Sequence, residues 1–390
     1  MAKSLFLNNI QLKAELERCL GCTSKPCKTA CPLKCDPNYF IKKAKENNFK
    51  EAALSIYQQN PLGKICGLVC PNHLCMKACI RGKIDFPINI PKVQATIIEK
   101  ANIKNKIETP LTSHKTAKVA IIGAGPSGIS AAITLAQRGI PSTLFEADST
   151  IGGAINLIPE DRLPKKIKNE EFSFFLNTKF ITIVPNTKIH NPLFLFDQGF
   201  SHIIVTTGED EPHFLNIKGE QFCIPYQEYL KTPENYLNLQ RVAIIGGGNV
   251  ALDCALTAKK LGANEIEIFI RRRSCDMRLS PQQYLELIEE KININPLYSP
   301  LEILKNNDKF SLKVVRNKII NSKIEPILNE THLHTNFDAI IRATGAKTSI
   351  QQYNENIFYA GDCVKGSSSV VEALNEGKQT ALKIINSLLK

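Results

Sequence analysis

The run VAIIGAGPSG at residues 119–128 recurs as VAIIGGGNVA at residues 242–251. Each copy places a short apolar, β-branched strand directly before a glycine-rich turn and an apolar helical stretch after it, which points to a strand–loop–helix unit of a parallel α/β sheet. A second, quieter repeat follows each copy: FSHIIVTTG (200–208) and FDAIIRATG (337–345) share the frame F-x-x-I-I-x-x-T-G, read as a strand ending at a Thr-Gly turn. The simplest topology is one α/β domain over about 119–210 that resumes near 340 and is interrupted by another over about 211–335.

The first loop is Gly123-x-Gly125-x-x-Gly128, with Pro126 and Ser127 opening the helix. In such a loop the glycines permit the tight turn, let backbone amides approach a pyrophosphate and let helix and strand pack closely, while the pyrophosphate sits on the helix N-terminus. Glu146 follows eighteen residues beyond Gly128, at the end of the next strand, where a carboxylate can accept both ribose hydroxyls. The second loop, Gly246-Gly247-Gly248-Asn249-Val250-Ala251, has the same frame, but its next strand, EIEIFI, ends in Arg271, Arg272 and Arg273. Guanidinium groups bind a 2′-phosphate that a carboxylate would repel. The first copy is therefore read as an FAD site and the second as a nicotinamide site leaning to NADPH, with NADH possible.

NIFYAGDCV (356–364) supports the flavin assignment. A strand ends in Gly361-Asp362 and a helix begins soon after, near Ser369 and Val370, so the aspartate can accept from a ribityl chain while the helix N-terminus faces the flavin or its phosphates. Many two-nucleotide flavoproteins hand electrons to a Cys-x-x-Cys pair. IGGAINLIPEDRLP (151–164) lacks cysteine, and Cys254 and Cys275 form no such motif, so electrons leave by another route.

That route is offered by the N-terminus, where nine of the thirteen cysteines lie between Cys19 and Cys79. In a cytosolic protein such a cluster binds metal more often than it forms disulfides. Iron–sulfur clusters accept single electrons from a reduced flavin, and zinc has no redox chemistry. The spacing Cys19-x2-Cys22-x4-Cys27-x3-Cys31-Pro32 resembles a bacterial ferredoxin run with a longer second gap, and Cys70, Cys75 and Cys79 form the partner run. Two 4Fe-4S clusters with crossed ligation fit these seven; for an eighth ligand, spacing nominates Cys66 or Cys35.

The rest of the chain excludes other classes. An apolar run of only three residues precedes polar ones at the N-terminus, unlike a signal peptide, and glycine or charge breaks each apolar stretch well before membrane-spanning length. A cytoplasmic protein is expected. The formal net charge of +12 comes from scattered lysines without a basic, aromatic-interleaved stripe, so nucleic acid is not the expected partner. Residues 1–105 read as cysteine-rich loops alternating with helices, among them PNYFIKKAKENNFKEAALSIYQQ, where Phe40, Ala44, Phe49, Ala53 and Ile56 line a buried face. The polar stretch 105–118 marks the boundary.

The segments CLGCTSKPCKTACP, NPLGKICGLVCPNHLCMKAC and PINIPKVQ resemble the N-terminal module of dihydropyrimidine dehydrogenase and of the glutamate synthase small chain, and the resemblance covers nearly the whole chain. It implies a multidomain α+β architecture: a helical iron–sulfur domain (1–105), an FAD domain in two parts (106–210 and 336–390), and an NAD(P)H domain (211–335) inserted between them. It also implies one cluster on Cys19, Cys22, Cys27 and Cys79 and a second on Cys31, Cys70, Cys75 and a non-cysteine ligand, Gln94. IPEDRLP is similar to the family's flavin-side segment, which carries a flavin role onto Arg162, beside Gly153. RRRSCDMRLSP resembles the NADPH loop of the pyrimidine enzymes, adding Arg278 to Arg271 and Arg272, with Gly345 at the nearby turn. Asn249 stands where most of the family has aspartate, a departure that bears on nicotinamide positioning.

What is missing narrows the function. An FMN barrel that reduces uracil or thymine needs about 250 residues, and no such length remains; a chain starting Met-Ala-Lys offers no amidotransferase nucleophile. The expectation is an electron-input subunit, with hydride passing from NADPH to FAD and single electrons through the clusters to a partner, and with no side chain acting as general acid or base. The partner is an FMN-containing dihydropyrimidine dehydrogenase-type catalytic subunit or, alternatively, the glutamate synthase large chain. Stand-alone diaphorase or ferredoxin reduction, and a zinc-bearing, non-catalytic assembly subunit, are the other readings.

Overall fold

The computed structural model of the chain describes residues 4–70, 74–103, 117–209, 211–347, 356–366 and 368–388. The boundary stretch 105–118 lies outside the described residues except for Ala117 and Lys118. The chain divides into two compact units, one of Met1–Asn156, Glu160–Asp210 and Thr348–Lys390, the other of Leu157–Pro159 and Glu211–Lys347.

The first unit begins with α1 (Asn9–Arg18), α2 (Pro26–Ala30), α3 (Pro37–Lys45), α4 (Phe49–Gln59), α5 (Gly63–Val69), α6 (Leu74–Lys77) and α7 (Ile90–Ala101). The stretch expected to be helical from Pro37 to Gln59 is two helices. Asn47 adopts φ 59°, a left-handed conformation that asparagine tolerates, and Asn48 accepts from the Glu51 amide at 3.1 Å to start α4 afresh. Phe40, Ala44, Ala53 and Ile56 are nevertheless buried together with Val93 and Ile97 of α7, and Phe49 packs at the margin.

A five-stranded parallel sheet follows, built from β1 (Val119–Ile122), β2 (Ser142–Phe145), β3 (Ile181–Val184), β4 (His202–Val205) and the late strand Ile357–Tyr359, in the order Ile357–Tyr359, β4, β1, β2, β3. β1 is buried at all four positions, as a central strand covered on both faces must be. Behind it, α8 (Pro126–Ala136) is buried along its whole length. The C-terminal helix Val370–Leu388 packs on α8, and a Cβ on Gly377 would stand 1.9 Å from the Ser127 carbonyl, so only glycine allows the two backbones to meet there.

The second unit holds its own five-stranded parallel sheet: β5 (Ile224–Pro225), β6 (Arg241–Ile245), β7 (Glu265–Ile270), β8 (Asn293–Pro296) and, beyond an antiparallel sheet of β9 (Tyr298–Asn306), β10 (Lys309–Ile320) and β11 (Lys323–Phe337), the strand β12 (Ala339–Arg342). The parallel order is β5, β12, β6, β7, β8. β12 pairs with β6 from Ala339 opposite Val242 to Arg342 opposite Ile245. The return to the first unit falls later than the expected residue 336: β12 completes the second sheet, the second unit ends at Lys347, and Thr348–Lys390 belongs to the first unit. The antiparallel sheet, which the α/β pattern did not foreshadow, covers one face of that parallel sheet, with Ile303, Leu312 and Phe337 against Ala243, Ile245 and Phe269. No helix among the described residues is long and apolar enough to cross a membrane.

Within the first unit, α9 (Lys165–Leu176) presses on the cysteine-bearing helices. Its Glu171 is buried and accepts from the Lys64 and Ile65 amides at 2.7 and 2.9 Å, at the start of α5. Phe174 and Phe175 lie 5.5 and 5.0 Å from the Tyr57 ring. Burial pushes the Glu171 carboxyl up to about 7, against the pull of the two amides and of Lys64. Because an exposed glutamate titrates near 4.3, the folded chain keeps a proton that the unfolded chain has released between those values. Stability therefore falls as pH rises from about 4.3 to about 7, by up to roughly 3 kcal/mol from this group, and its contribution is flat above. In denaturant unfolding between pH 4.5 and 7.5, Glu171→Gln should lack this fall, while Glu171→Ala, which leaves both amides unpaired, should lose about 2 kcal/mol.

Candidate functional site

In the first unit the glycine loop is shaped by contact. Gly123 has φ +100°, and a Cβ there would stand 2.6 Å from the Thr206 carbonyl; a Cβ on Gly128 would meet the Gly123 carbonyl at 2.0 Å and Thr206 Oγ1 at 2.7 Å. Thr206 fastens the turn, donating to the Ile122 and Gly123 carbonyls at 3.0 and 2.7 Å. Gly125 differs. It is the residue before Pro126 at the start of α8, with no side chain capping the helix, and a Cβ there would meet nothing within 4 Å. Ser127, one residue into the helix, is buried with its hydroxyl lacking a hydrogen-bond partner. Helix amides without a side-chain cap, an open approach at Gly125 and an orphaned buried hydroxyl together fit a pyrophosphate.

Glu146, at the end of β2, turns its carboxylate onto this loop and accepts from the Ala124 amide at 2.8 Å and from the Asp148 amide at 2.9 Å. A Cβ on Gly153 would stand 2.9 Å from Gly125 Cα, and one on Gly361, at φ +83°, would stand 2.9 Å from Ser127 Cβ. The structure thus brings Gly123, Gly125, Ser127, Gly128, Glu146, Gly153 and Gly361 to one place. Asp362, next to Gly361, accepts from the Ser368 amide at 3.1 Å, and burial pushes its carboxyl up. Ser369 donates from both its amide and its hydroxyl to Glu372, so it serves the helix that Val370 opens. Arg162 is half-buried in the turn that precedes α9.

The second unit repeats the arrangement. Gly246 has φ +145°, and its Cβ would meet the Ala343 carbonyl at 2.2 Å, the counterpart of Thr206. Gly248 precedes α10 (Asn249–Lys260), lacks a side-chain cap and has open space where a Cβ would go. Gly247 accepts from the Arg278 amide at 3.2 Å, which draws the 271–278 loop alongside. Arg271, Arg272 and Arg278 are exposed, whereas Arg273 is engaged with Asp276 at 2.9 and 3.0 Å. Asn249 Oδ1 accepts from Gln283 Nε2 at 2.9 Å, on α11 (Pro281–Glu289), and Val250 is half-buried in the first turn of α10. Gly345, at φ +82°, accepts through its carbonyl from the His213 amide at 3.1 Å.

All thirteen cysteines carry thiols rather than disulfides. Cys19, Cys22, Cys27 and Cys79 line one pocket, although some fifty residues separate Cys27 from Cys79. They meet because α2 packs against α6. Burial pushes the Cys27 thiol up to about 11, with Cys19 and Cys79 adding to it. Cys75 is raised by burial first, and the Cys70, Cys31 and Cys27 thiols add to it. Cys31 is held down to about 6 by the Cys35 thiol, which donates to it, and the same bond together with burial keeps Cys35 protonated. Cys66 is fully buried, pushed well up and directed at Asn60. Cys35 and Cys66, the candidates that spacing nominates for an eighth ligand, are both buried, and burial raises their thiols as it raises those of Cys27 and Cys75. Gln94 is buried on α7, its Nε2 donating to the Gly63 carbonyl at 2.6 Å, at the start of the helix that leads into Cys70. Thr206 and Gly377 were not singled out from sequence, although the Thr-Gly frame contains the first.

Residues 117–377 match the pyridine nucleotide-disulphide oxidoreductase family, and residues 3–106 match the family described as dihydropyrimidine dehydrogenase domain II, 4Fe-4S cluster. The fold and sites thus define an NAD(P)H-dependent oxidoreductase, and its cofactors are FAD, a nicotinamide nucleotide and 4Fe-4S iron–sulfur. The chain is 30% identical over 382 residues to the NAD-dependent dihydropyrimidine dehydrogenase subunit PreT of Escherichia coli (strain K12), covering 94% of this chain and 92% of that protein. It belongs to that family of dihydropyrimidine dehydrogenase subunits. It is also 27% identical over 401 residues to the putative oxidoreductase YgfK of the same organism, covering 94% of this chain and 38% of YgfK. Mycobacterium tuberculosis FprA in complex with NADPH shares the fold, with a TM-score of 0.61 at 16% identity over 70% of this chain and 84% of that one.

The two open glycines give a prediction. Gly248→Val should leave iron and flavin contents unchanged, because the protein offers its side chain no clash, yet weaken nicotinamide binding at least tenfold, or about 1.4 kcal/mol, in equilibrium titration. Gly246→Val should instead disturb the second unit itself.

Proposed function

We propose that this chain is the electron-input subunit of a dihydropyrimidine dehydrogenase, taking electrons from a nicotinamide nucleotide and delivering them to a separate FMN-containing catalytic subunit. The observation that carries this reading is the gathering of Cys19, Cys22, Cys27 and Cys79 around one pocket in a module that shares a compact unit with the first glycine loop. The curated relatives that match along nearly their whole length are named as subunits of that enzyme.

FAD, when bound, accepts a hydride and releases electrons singly, and iron–sulfur clusters carry them onward. The chain's own residues bind and position. Gly123, Gly125, Pro126, Ser127 and Gly128 seat the FAD pyrophosphate, Glu146 its adenosine ribose, and Gly153, Arg162, Gly361, Asp362, Ser369 and Val370 its flavin half. Gly246, Gly247, Gly248, Asn249, Val250 and Gly345 seat the nicotinamide nucleotide. Cys19, Cys22, Cys27 and Cys79 hold one cluster; Cys31, Cys70, Cys75 and Gln94 hold the other. Leu20, on the rim of the first cysteine pocket, is 46% exposed, which suits electron exit to a docked partner on that side.

For the nucleotide we favour NADPH. The residues directly after β7 are Arg271 and Arg272, both exposed, where an NADH site would present a carboxylate to the ribose. The relatives that match along nearly their whole length are named NAD-dependent, so NADH is the competing nucleotide. Replacing both arginines with serine should lower the ratio of kcat/KM for NADPH over NADH at least tenfold; an unchanged ratio overturns the preference. The larger reading is tested on protein purified without oxygen: about eight irons and one FAD per chain, with bleaching of the visible spectrum on NADPH, are expected. Zinc in place of iron, or no flavin, overturns it.

A further inference from the structure

In the second unit the chain passes from the parallel to the antiparallel sheet at Leu297, which follows β8 and precedes β9. Leucine rarely adopts a left-handed backbone, yet Leu297 has φ 62°. Two backbone hydrogen bonds hold it there: its amide donates to the Arg272 carbonyl at 3.0 Å, and its carbonyl accepts from the Asn317 amide at 2.7 Å. The Asn317 side chain, on β10, makes a second link to the same loop. Its Nδ2 donates to the Arg271 carbonyl at 3.0 Å and to Ser299 Oγ at 2.9 Å. The backbone of both arginines that follow β7 is thus tied to Asn317, directly at Arg271 and through Leu297 at Arg272.

Asn317 is 2% exposed, and its Oδ1 has no hydrogen-bond partner. An unpaired buried amide oxygen is costly, so the two bonds from Nδ2 are what this asparagine contributes in return. The Arg271 carbonyl can only accept, which fixes the amide nitrogen toward it. At the other end of the loop the Arg278 amide donates to the Gly247 carbonyl at 3.2 Å, so the arginine stretch is held both to the antiparallel sheet and to the glycine turn.

The side chains of these arginines are placed in the opposite way. Arg271 and Arg272 are exposed and make no hydrogen bond among the described residues, whereas Arg273 donates to Asp276 at 2.9 and 3.0 Å. A held backbone under free guanidinium groups is the arrangement that anion capture needs. A guanidinium takes a phosphate bidentately only when its fork is aimed, and any backbone ordered on binding subtracts from affinity. Fixing the backbone beforehand leaves only the side chain to order.

We propose that Asn317 is a positioning residue for nucleotide selection: by fixing the backbone of Arg271 and Arg272, it sets their guanidinium groups to take the 2′-phosphate of NADPH. The antiparallel sheet is then a brace for the selecting loop. This inference rests on the preference for NADPH proposed above.

The test is steady-state kinetics with NADPH and with NADH on the full, cofactor-loaded chain, with ferricyanide as electron acceptor. Asn317→Leu keeps the size of the side chain and removes the amide. It should lower the ratio of kcat/KM for NADPH over NADH by about fivefold or more, through KM for NADPH rather than through kcat. In a chain that already carries Arg271→Ser and Arg272→Ser, Asn317→Leu should leave the ratio where those changes put it, because no guanidinium remains to be aimed. Ser299→Ala, which removes only the other bond of Nδ2, should keep the ratio within about twofold of wild type. Should Asn317→Leu fail to load flavin, Asn317→Ser, too short to reach the Arg271 carbonyl, takes its place with the same expectation. A wild-type ratio in the loaded variant, or an equal loss with both nucleotides, overturns the proposal. An unchanged ratio in the Arg271→Ser, Arg272→Ser chain overturns the NADPH reading itself, so that pair separates the two failures.

Discussion

The carboxylate of Glu171 on the amides of Lys64 and Ile65 is the contact on which the first unit's organisation turns. A flavin domain and a cysteine module are of use to each other only at a fixed, short separation, and here a buried acid reaches from α9 into the first turn of α5, whose C-terminal end leads directly to Cys70. Burying a carboxyl is costly unless its lone pairs are filled, and two backbone donors at a helix start fill them. Lys378 makes the complementary contact, a cation at the carbonyl end of α4. Acid at a helix start and base at a helix end both follow the direction of the backbone dipoles, so the two contacts cooperate in orienting the module. The rings of Phe174 and Phe175 around Tyr57 supply the apolar part of the same junction.

Much of the nucleotide-binding architecture was legible because it is local and repeated. A strand, a glycine turn and a helix lie within ten residues, and the frame F-x-x-I-I-x-x-T-G marks the strand that abuts each turn. The structure gives that frame its meaning: the backbone carbonyl of Thr206, and of Ala343 in the second copy, presses on the first glycine of its own loop. The same frame marks β12 as the partner of β6, so the chain leaves the second unit only after Lys347 and not near 336. The long antiparallel strands that separate β12 from β8 obscure that pairing in the sequence.

What sequence could not show depends on residues far apart in the chain. Glu171 meets α5 across 107 and 106 residues, and nothing in KKIKNEEFSFFL distinguishes it from the exposed acid beside it. Gly377 reads as a weak point in a helix until Ser127 is found against it. Among the cysteines, spacing could count candidates but not sort them. The structure adds a local distinction: Cys31 receives a hydrogen bond from the Cys35 thiol that favours its thiolate, while burial raises Cys66 as it also raises Cys27 and Cys75.

The two glycine loops also differ in a coupled way that no single motif position reveals. Gly128 cannot carry a methyl group because the Gly123 carbonyl and Thr206 Oγ1 occupy its space. At the corresponding places the second copy has Ala251, fully buried, and Ala343. Removing the threonine hydroxyl frees volume on one side of the helix start, and an alanine methyl there fills space that would otherwise be void. The hydroxyl also has a task in the first loop, since it ties the Ile122 and Gly123 carbonyls together. Thr206 with Gly128 and Ala343 with Ala251 are therefore two self-consistent solutions to packing a helix on a strand, and exchanging one residue without its mate would leave either a clash or a hole. The repeat preserves the backbone path that suits a pyrophosphate while each copy tunes its own support.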